Sequence, residues 1–100
     1  MRSARFLAPA ERELNEAARY YEGQASGLGA DFLERVAVAV RDIRCHPDRW
    51  PAARGSVRRR LVRRFPYALL YQVDGEEVLI LAVMHLRRRP EYWADRVQSR

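Results

Sequence analysis

Residues 77–85 read EVLILAVMH, and the stretch 78–84 is apolar at every position. A strand with one face in water carries a polar residue at every second place. This stretch carries none, so it is expected to be a strand buried on both faces, which obliges the rest of the chain to cover it. At seven residues the apolar run is far short of a membrane span. Asp74-Gly75 before it is a tight-turn signal, and residues 67–73 (YALLYQV) read as its hairpin partner.

The first half of the chain can supply the cover. Pro9 sits where a helix favours its first residue, with Glu11 and Glu13 in the first turn. Leu14, Ala17, Ala18 and Tyr21 follow at i, i+3, i+4, i+7, and Gly23 is a plausible stop. Gly27-Leu28-Gly29 reads as a short turn into a second helix that runs to about Cys45 and places Phe32, Val36, Ala39, Val40 and Ile43 on one face. Asp31 and Glu34 near its start and Arg41, Arg44 and His46 near its end suit the helix dipole, and Pro47 ends it. So short a connection makes the two helices an antiparallel hairpin.

Residues 5–8 read as a short first strand, 48–56 as a loop, 57–65 as an arginine-rich edge strand, and 91–97 as a short helix or extended tail. The order is β-α-α-β-β-β plus a tail. The fold class is α+β: one domain over residues 1–100, a small antiparallel sheet with an N-terminal helical hairpin packed on it. The hairpin, with Tyr20, Tyr21 and Leu28 near its turn, is expected to expose apolar surface to a partner.

Charge separates the halves. Residues 1–50 hold eight Arg and eight Asp/Glu; residues 51–100 hold eleven Arg and five Asp/Glu, so the whole excess of +6 lies in the second half. There is no lysine. The arginine fork suits phosphate and carboxylate, so the excess points to an anionic partner, nucleic acid or acidic protein. Cys45 is the sole cysteine, so no internal disulfide forms, and it reads as a core thiol. Cys45 and His46 point to different sides of a helix with no second such pair nearby, so neither a metal nor a cofactor is expected. Residues 1–12 lack the apolar core of a signal peptide, which leaves a soluble cytoplasmic protein with no membrane partner as the expectation.

Two segments stand out as candidate sites. In a strand over 57–64, Arg58, Arg60 and Arg64 share one face and Arg59, Leu61 and Arg63 the other, and the first face reads as a docking surface. Residues 85–93 join His85 to Arg87, Arg88 and Arg89 and to Tyr92 and Trp93. Histidine to move a proton, arginine to stabilise a phosphorane and an aromatic to stack a base are the parts of an RNA-cleaving site.

Taken in order, these residues resemble the RelE/ParE toxin superfamily of type II toxin–antitoxin systems, the plasmid stabilisation type. The likeness runs through residues 10–22 (AERELNEAARYYE), Gly27-Leu28-Gly29 and Phe32, His46-Pro47, Trp50-Pro51, Val57-Arg58, Arg64-Phe65-Pro66-Tyr67, Tyr71, Ala82-Val83, His85, residues 87–90 (RRRP) and Trp93. The resemblance implies a cognate ParD-like antitoxin whose acidic amphipathic tail wraps the hairpin and the basic sheet in a hetero-oligomer, with Arg58, Arg60, Arg64, Tyr71 and Arg87 to Arg89 as its contacts or those of the target. It also implies one of two activities. RelE-like members cleave mRNA on the ribosome, for which the matching residues here are Arg60, His85, Arg87, Tyr92 and Trp93. ParE-like members inhibit DNA gyrase and arrest growth without nuclease residues. Ala68 stands where the RelE-like strand carries arginine, and Phe65-Pro66-Tyr67 with His85, Arg88 and Pro90 is more similar to the ParE side. The expectation is therefore a ParE-like gyrase inhibitor, with an endoribonuclease, or an inactive relic that only represses its operon with the antitoxin, as alternatives.

Overall fold

The computed structural model describes residues 1–98. In chain order the elements are β1 (Ser3–Phe6), α1 (Ala8–Gln24), α2 (Leu28–Cys45), β2 (Ala52–Arg54), β3 (Val57–Val62), β4 (Tyr67–Asp74) and β5 (Glu77–His85), closed by a 3-10 turn at Ala94–Arg96. The five strands form one sheet in the order β1-β5-β4-β3-β2. The α+β class and the hairpin on a sheet are as expected.

β5 is the covered strand that its composition demands: Val78 to Val83 are all buried. Its neighbours differ from the expectation in two ways. β1 starts two residues earlier and lies parallel to β5, Ser3 opposite Glu77 and Phe6 opposite Ile80, so the sheet is mixed. The chain crosses the sheet through both helices before β5 forms, which is what a parallel pairing requires. Second, β2 emerges from the expected loop and pairs with β3, so the arginine-rich strand is interior and stops at Val62. Gly55, at φ 53°, supplies the left-handed residue of that hairpin. Asp74 pairs with Glu77, so the β4–β5 turn consists of Gly75 and Glu76, one residue later than Asp74-Gly75 suggests.

Both helices lie on one face. Phe32, Val36, Ala39 and Ile43 of α2 and Ala10 and Ala17 of α1 pack against Val62, Leu69, Tyr71, Ile80 and Val83. Tyr21, Phe32, Phe65 and Tyr67 interlock edge to face at one end, with ring centroids 4.8 Å apart for Tyr21–Phe65 and 5.1 Å for Phe32–Tyr67. The opposite face carries a smaller cluster of Val57, Ala68, Leu70, Leu79, Leu81 and Ala82, closed by Trp93 of the tail. Cys45 is exposed at the end of α2 rather than in the core, because the apolar stripe of that helix ends at Ile43. Among the described residues no helix is long and apolar enough to cross a membrane.

Candidate functional site

Of the three arginines that the strand alternation placed on one face, Arg58 and Arg60 do share it, and it is the face under the helices. Arg60 is 8% exposed. Its Nη2 donates to Asp42 Oδ2 of α2 at 2.8 Å, its Nη1 to the Leu61 carbonyl, and its guanidinium lies over the Trp50 indole, 4.5 Å from the ring centroid. Arg58 Nη1 donates to the Trp50 carbonyl at 2.7 Å and ties the loop before β2 to the sheet. Tyr71 is fully buried and donates its hydroxyl to the Pro47 carbonyl; burial pushes its phenol up to about 12, the nearby Arg58 lowering it and Asp48 raising it further. Arg64 lies past the strand, exposed in the turn before Phe65 at φ 74°. Of this group, Arg64 makes no side-chain hydrogen bond or ion pair among the described residues.

The second segment folds into a turn and a tail. His85 ends β5; its Nδ1 accepts the Arg87 backbone N–H at 3.0 Å, and its ring meets Tyr67 edge to face at 5.0 Å. A neutral His85 therefore carries its proton on Nε2. Arg87 and Arg89 are exposed beside it. Arg88 lies over the Tyr92 ring, 4.0 Å from its centroid. Tyr92 donates its hydroxyl to Glu13 Oε2 at 2.8 Å, and burial, followed by that bond to a carboxylate, drives its pKa up. Trp93 is 2% exposed, on the far side of the sheet from Arg60. Among the nuclease candidates, His85 is joined to the Arg87 backbone and lines a cleft of 340 Å³ with Glu13, Glu16 and Arg88, while Tyr92 is committed to Glu13 and Arg60 and Trp93 lie on opposite faces of the sheet.

Glu13 is a residue that sequence reading passed over as a first-turn acid. Its carboxylate accepts from the Val83 backbone N–H, the Tyr92 hydroxyl and both Nη atoms of Arg96, all at 2.8–3.1 Å. The pair is largely covered, at 17% and 15% exposure for the Arg96 and Glu13 side chains. Eighty-three residues separate them, so no local pattern announces the pair.

On the helical layer lies an apolar groove of 360 Å³, lined by Phe6, Leu14, Leu33, Val36, Ala37 and Val40 with Arg41 and Arg44 along it. Leu33 is 41% exposed at its lip, and Tyr20 is 60% exposed further along the hairpin. Tyr21, expected outside as well, is turned into the aromatic cluster. Apolar walls flanked by arginines have the chemistry to receive the apolar face of an amphipathic helix that carries acidic side chains.

Residues 4–90 match a family model described as "ParE toxin of type II toxin-antitoxin system, parDE". The fold is similar to a solved structure described as "Chromosomal ParDE TA system from P. aeruginosa", with a TM-score of 0.72 and 19% identity over 85% of this chain and 96% of that one. No curated protein sequence matches.

Proposed function

The chain belongs to the ParE toxin family of type II toxin–antitoxin systems, and on that footing we propose that it arrests growth by binding DNA gyrase and is silenced by an acidic antitoxin segment seated in its helical groove. The observation that carries the reading is the scatter of the groups a nuclease would need. Arg60 is sealed against Asp42 and Trp50 on one face of the sheet, Trp93 is buried on the other, and the Tyr92 phenol is held protonated against Glu13. A general acid–base pair needs both groups within hydrogen-bond reach of one reacting phosphate. His85 and Arg88 do share a cleft with Glu13 and Glu16, but Arg60 and Trp93 cannot reach it; the other free surfaces are an apolar groove and exposed arginines, which suit binding.

The antitoxin part of the reading rests on the groove's chemistry. Its apolar walls and the flanking Arg41 and Arg44 complement an acidic amphipathic helix. The test runs two assays on one preparation. Supercoiling by purified gyrase is expected to be inhibited, and ribosome-bound mRNA to stay intact. New 5′ ends at codons, with supercoiling untouched, would overturn the proposal in favour of an endoribonuclease.

A further inference from the structure

The sheet face turned away from the helices is only half covered. The tail lays Trp93 over Val57, Leu70 and Leu81 and is pinned further on by a reciprocal pair, in which Gln98 N–H donates to Gln72 Oε1 and Gln72 Nε2 to the Gln98 carbonyl. Beside the tail a groove of 260 Å³ remains, floored by Leu70 and Met84 and walled by Trp93, Pro90 and Glu91, with Arg59 along it; the Glu91 carboxylate is already paired with Arg54. Next to it Leu61 stands opposite Ala68, and Ala68 opposite Met84. The small Ala68 leaves the two longer side chains as ridges. Leu61 is 49% exposed and Leu86 46%. Arg59, Arg63, Arg87 and Arg89 are all exposed and make no side-chain hydrogen bond or ion pair among the described residues, whereas Arg54, Arg60 and Arg96 are each paired to a carboxylate.

We propose that this outer face docks an acidic segment of a partner protein, which seats one apolar side chain between Leu61 and Met84 and sets its carboxylates on Arg59 and Arg89. The identity of that partner as the toxin's target rests on the gyrase reading above; the surface itself does not. Apolar ridges among unpaired arginines are the core and rim of a protein interface. A second copy brought up by a two-fold axis would set the same arginines face to face, which is repulsive. Sequence-tolerant binding of single-stranded nucleic acid needs exposed aromatic platforms. Here Trp93 is buried, and the Tyr92 ring lies beneath Arg88 at 4.0 Å. The antitoxin groove is on the other layer, so the two surfaces can be disabled separately.

The experiment compares charge-matched variants. Arg59→Glu/Arg89→Glu reverses two arginines of the outer face, Arg12→Glu/Arg19→Glu reverses two exposed arginines of α1, and Leu61→Ser removes the apolar ridge at an exposed position. With purified gyrase as the probe, the first and third should weaken binding at least tenfold, and the second less than twofold. Equal weakening by both double variants, or none by either, overturns the proposal. If the unaltered toxin does not bind gyrase, the target reading fails, and growth arrest on expression then judges the surface. Arrest lost with Arg59→Glu/Arg89→Glu and kept with Arg12→Glu/Arg19→Glu upholds it with a different protein target; any other pattern overturns it. Binding to a single-stranded oligonucleotide or an anionic vesicle that depends on Arg59, in place of gyrase, overturns the choice of a protein partner.

Discussion

Glu13 shows how a single side chain can finish a sheet. β1 runs beside β5 only as far as Ile80, and there β5 carries an extra residue, Leu81, relative to β4. A bulge at the point where a neighbour ends leaves backbone groups without ladder partners. Glu13 accepts the Val83 N–H, and Arg96 donates to the Leu81 carbonyl at 3.1 Å, so an ion pair stands where a strand would be. Glu13→Ala strips partners from Val83 N–H, the Tyr92 hydroxyl and Arg96 together, and should cost about 3 kcal/mol, in the range for breaking a covered pair. Glu13→Gln keeps one acceptor and should cost about half as much. Urea melts followed by tryptophan fluorescence check both; an alanine variant within the error of the original would remove Glu13 from this role. Tyr71 makes a different case. Its pKa is raised in the folded state, to about 12, above the ordinary phenol value near 10. The folded chain therefore holds that proton more tightly than the unfolded one. The stability it contributes is whole below about pH 10 and is lost as pH rises toward 12. Alkaline unfolding should be steep in that window and visibly flatter in Tyr71→Phe; equal slopes for the two chains would contradict the burial argument.

At the scale of elements, the turn between the helices explains why Gly27-Leu28-Gly29 reads as it does. Gly27 sits at φ 87°, which a side chain resists. It offers no capping side chain to α2; instead Glu22, reaching from α1, accepts the N–H groups of Gly27 and Gly29 at 3.0 Å. Gly29 is needed for approach: a Cβ there would stand 2.6 Å from the Ala18 carbonyl oxygen. Gly29→Ala gains about 1 kcal/mol of helix propensity but forces the helices apart, at about 1–3 kcal/mol. At the middle of that range the net cost is about 1 kcal/mol, which lowers the melting temperature by about 4–8 °C, and a melt at or above the original would show that the hairpin has slack there. The hairpin and β5 were legible because periodicity and turn residues are local signals. β2 was not, since three exposed residues carry no alternation to read. The arginine face was not either. Val62 follows Arg58 and Arg60 on one side of β3, Val57 precedes Arg59 and Leu61 on the other, and nothing in such a strand says which side the helices will take. That depends on α2 bringing Asp42 to Arg60, a contact across eighteen positions.

On the scale of the whole molecule, the uneven charge acquires a geometry. Among the second half's arginines, Arg60 and Arg96 are paired under cover with Asp42 and Glu13, Arg54 is paired with Glu91 at the surface, and Arg59 stands exposed on the outer face of the sheet. The first half is neutral in sum, yet it presents Arg41 and Arg44 beside its apolar groove. The sheet therefore separates two surfaces, one with a larger apolar groove beside Arg41 and Arg44, one with a smaller and more polar groove beside Arg59. An antitoxin that silences by filling the apolar groove should depend on Leu33 at its lip, because a partly exposed leucine buried on docking is worth about 2 kcal/mol. Leu33→Asp also sets a carboxylate against an acidic partner, so the affinity for such an antitoxin should fall about a hundredfold or more. Titration calorimetry measures this directly. In cells, co-expression of that partner should rescue growth from the original toxin and not from Leu33→Asp. Rescue of both at equal antitoxin levels would place the silencing contact elsewhere, on the sheet rather than the hairpin, and would make the outer face the surface that toxin neutralisation and target binding compete for.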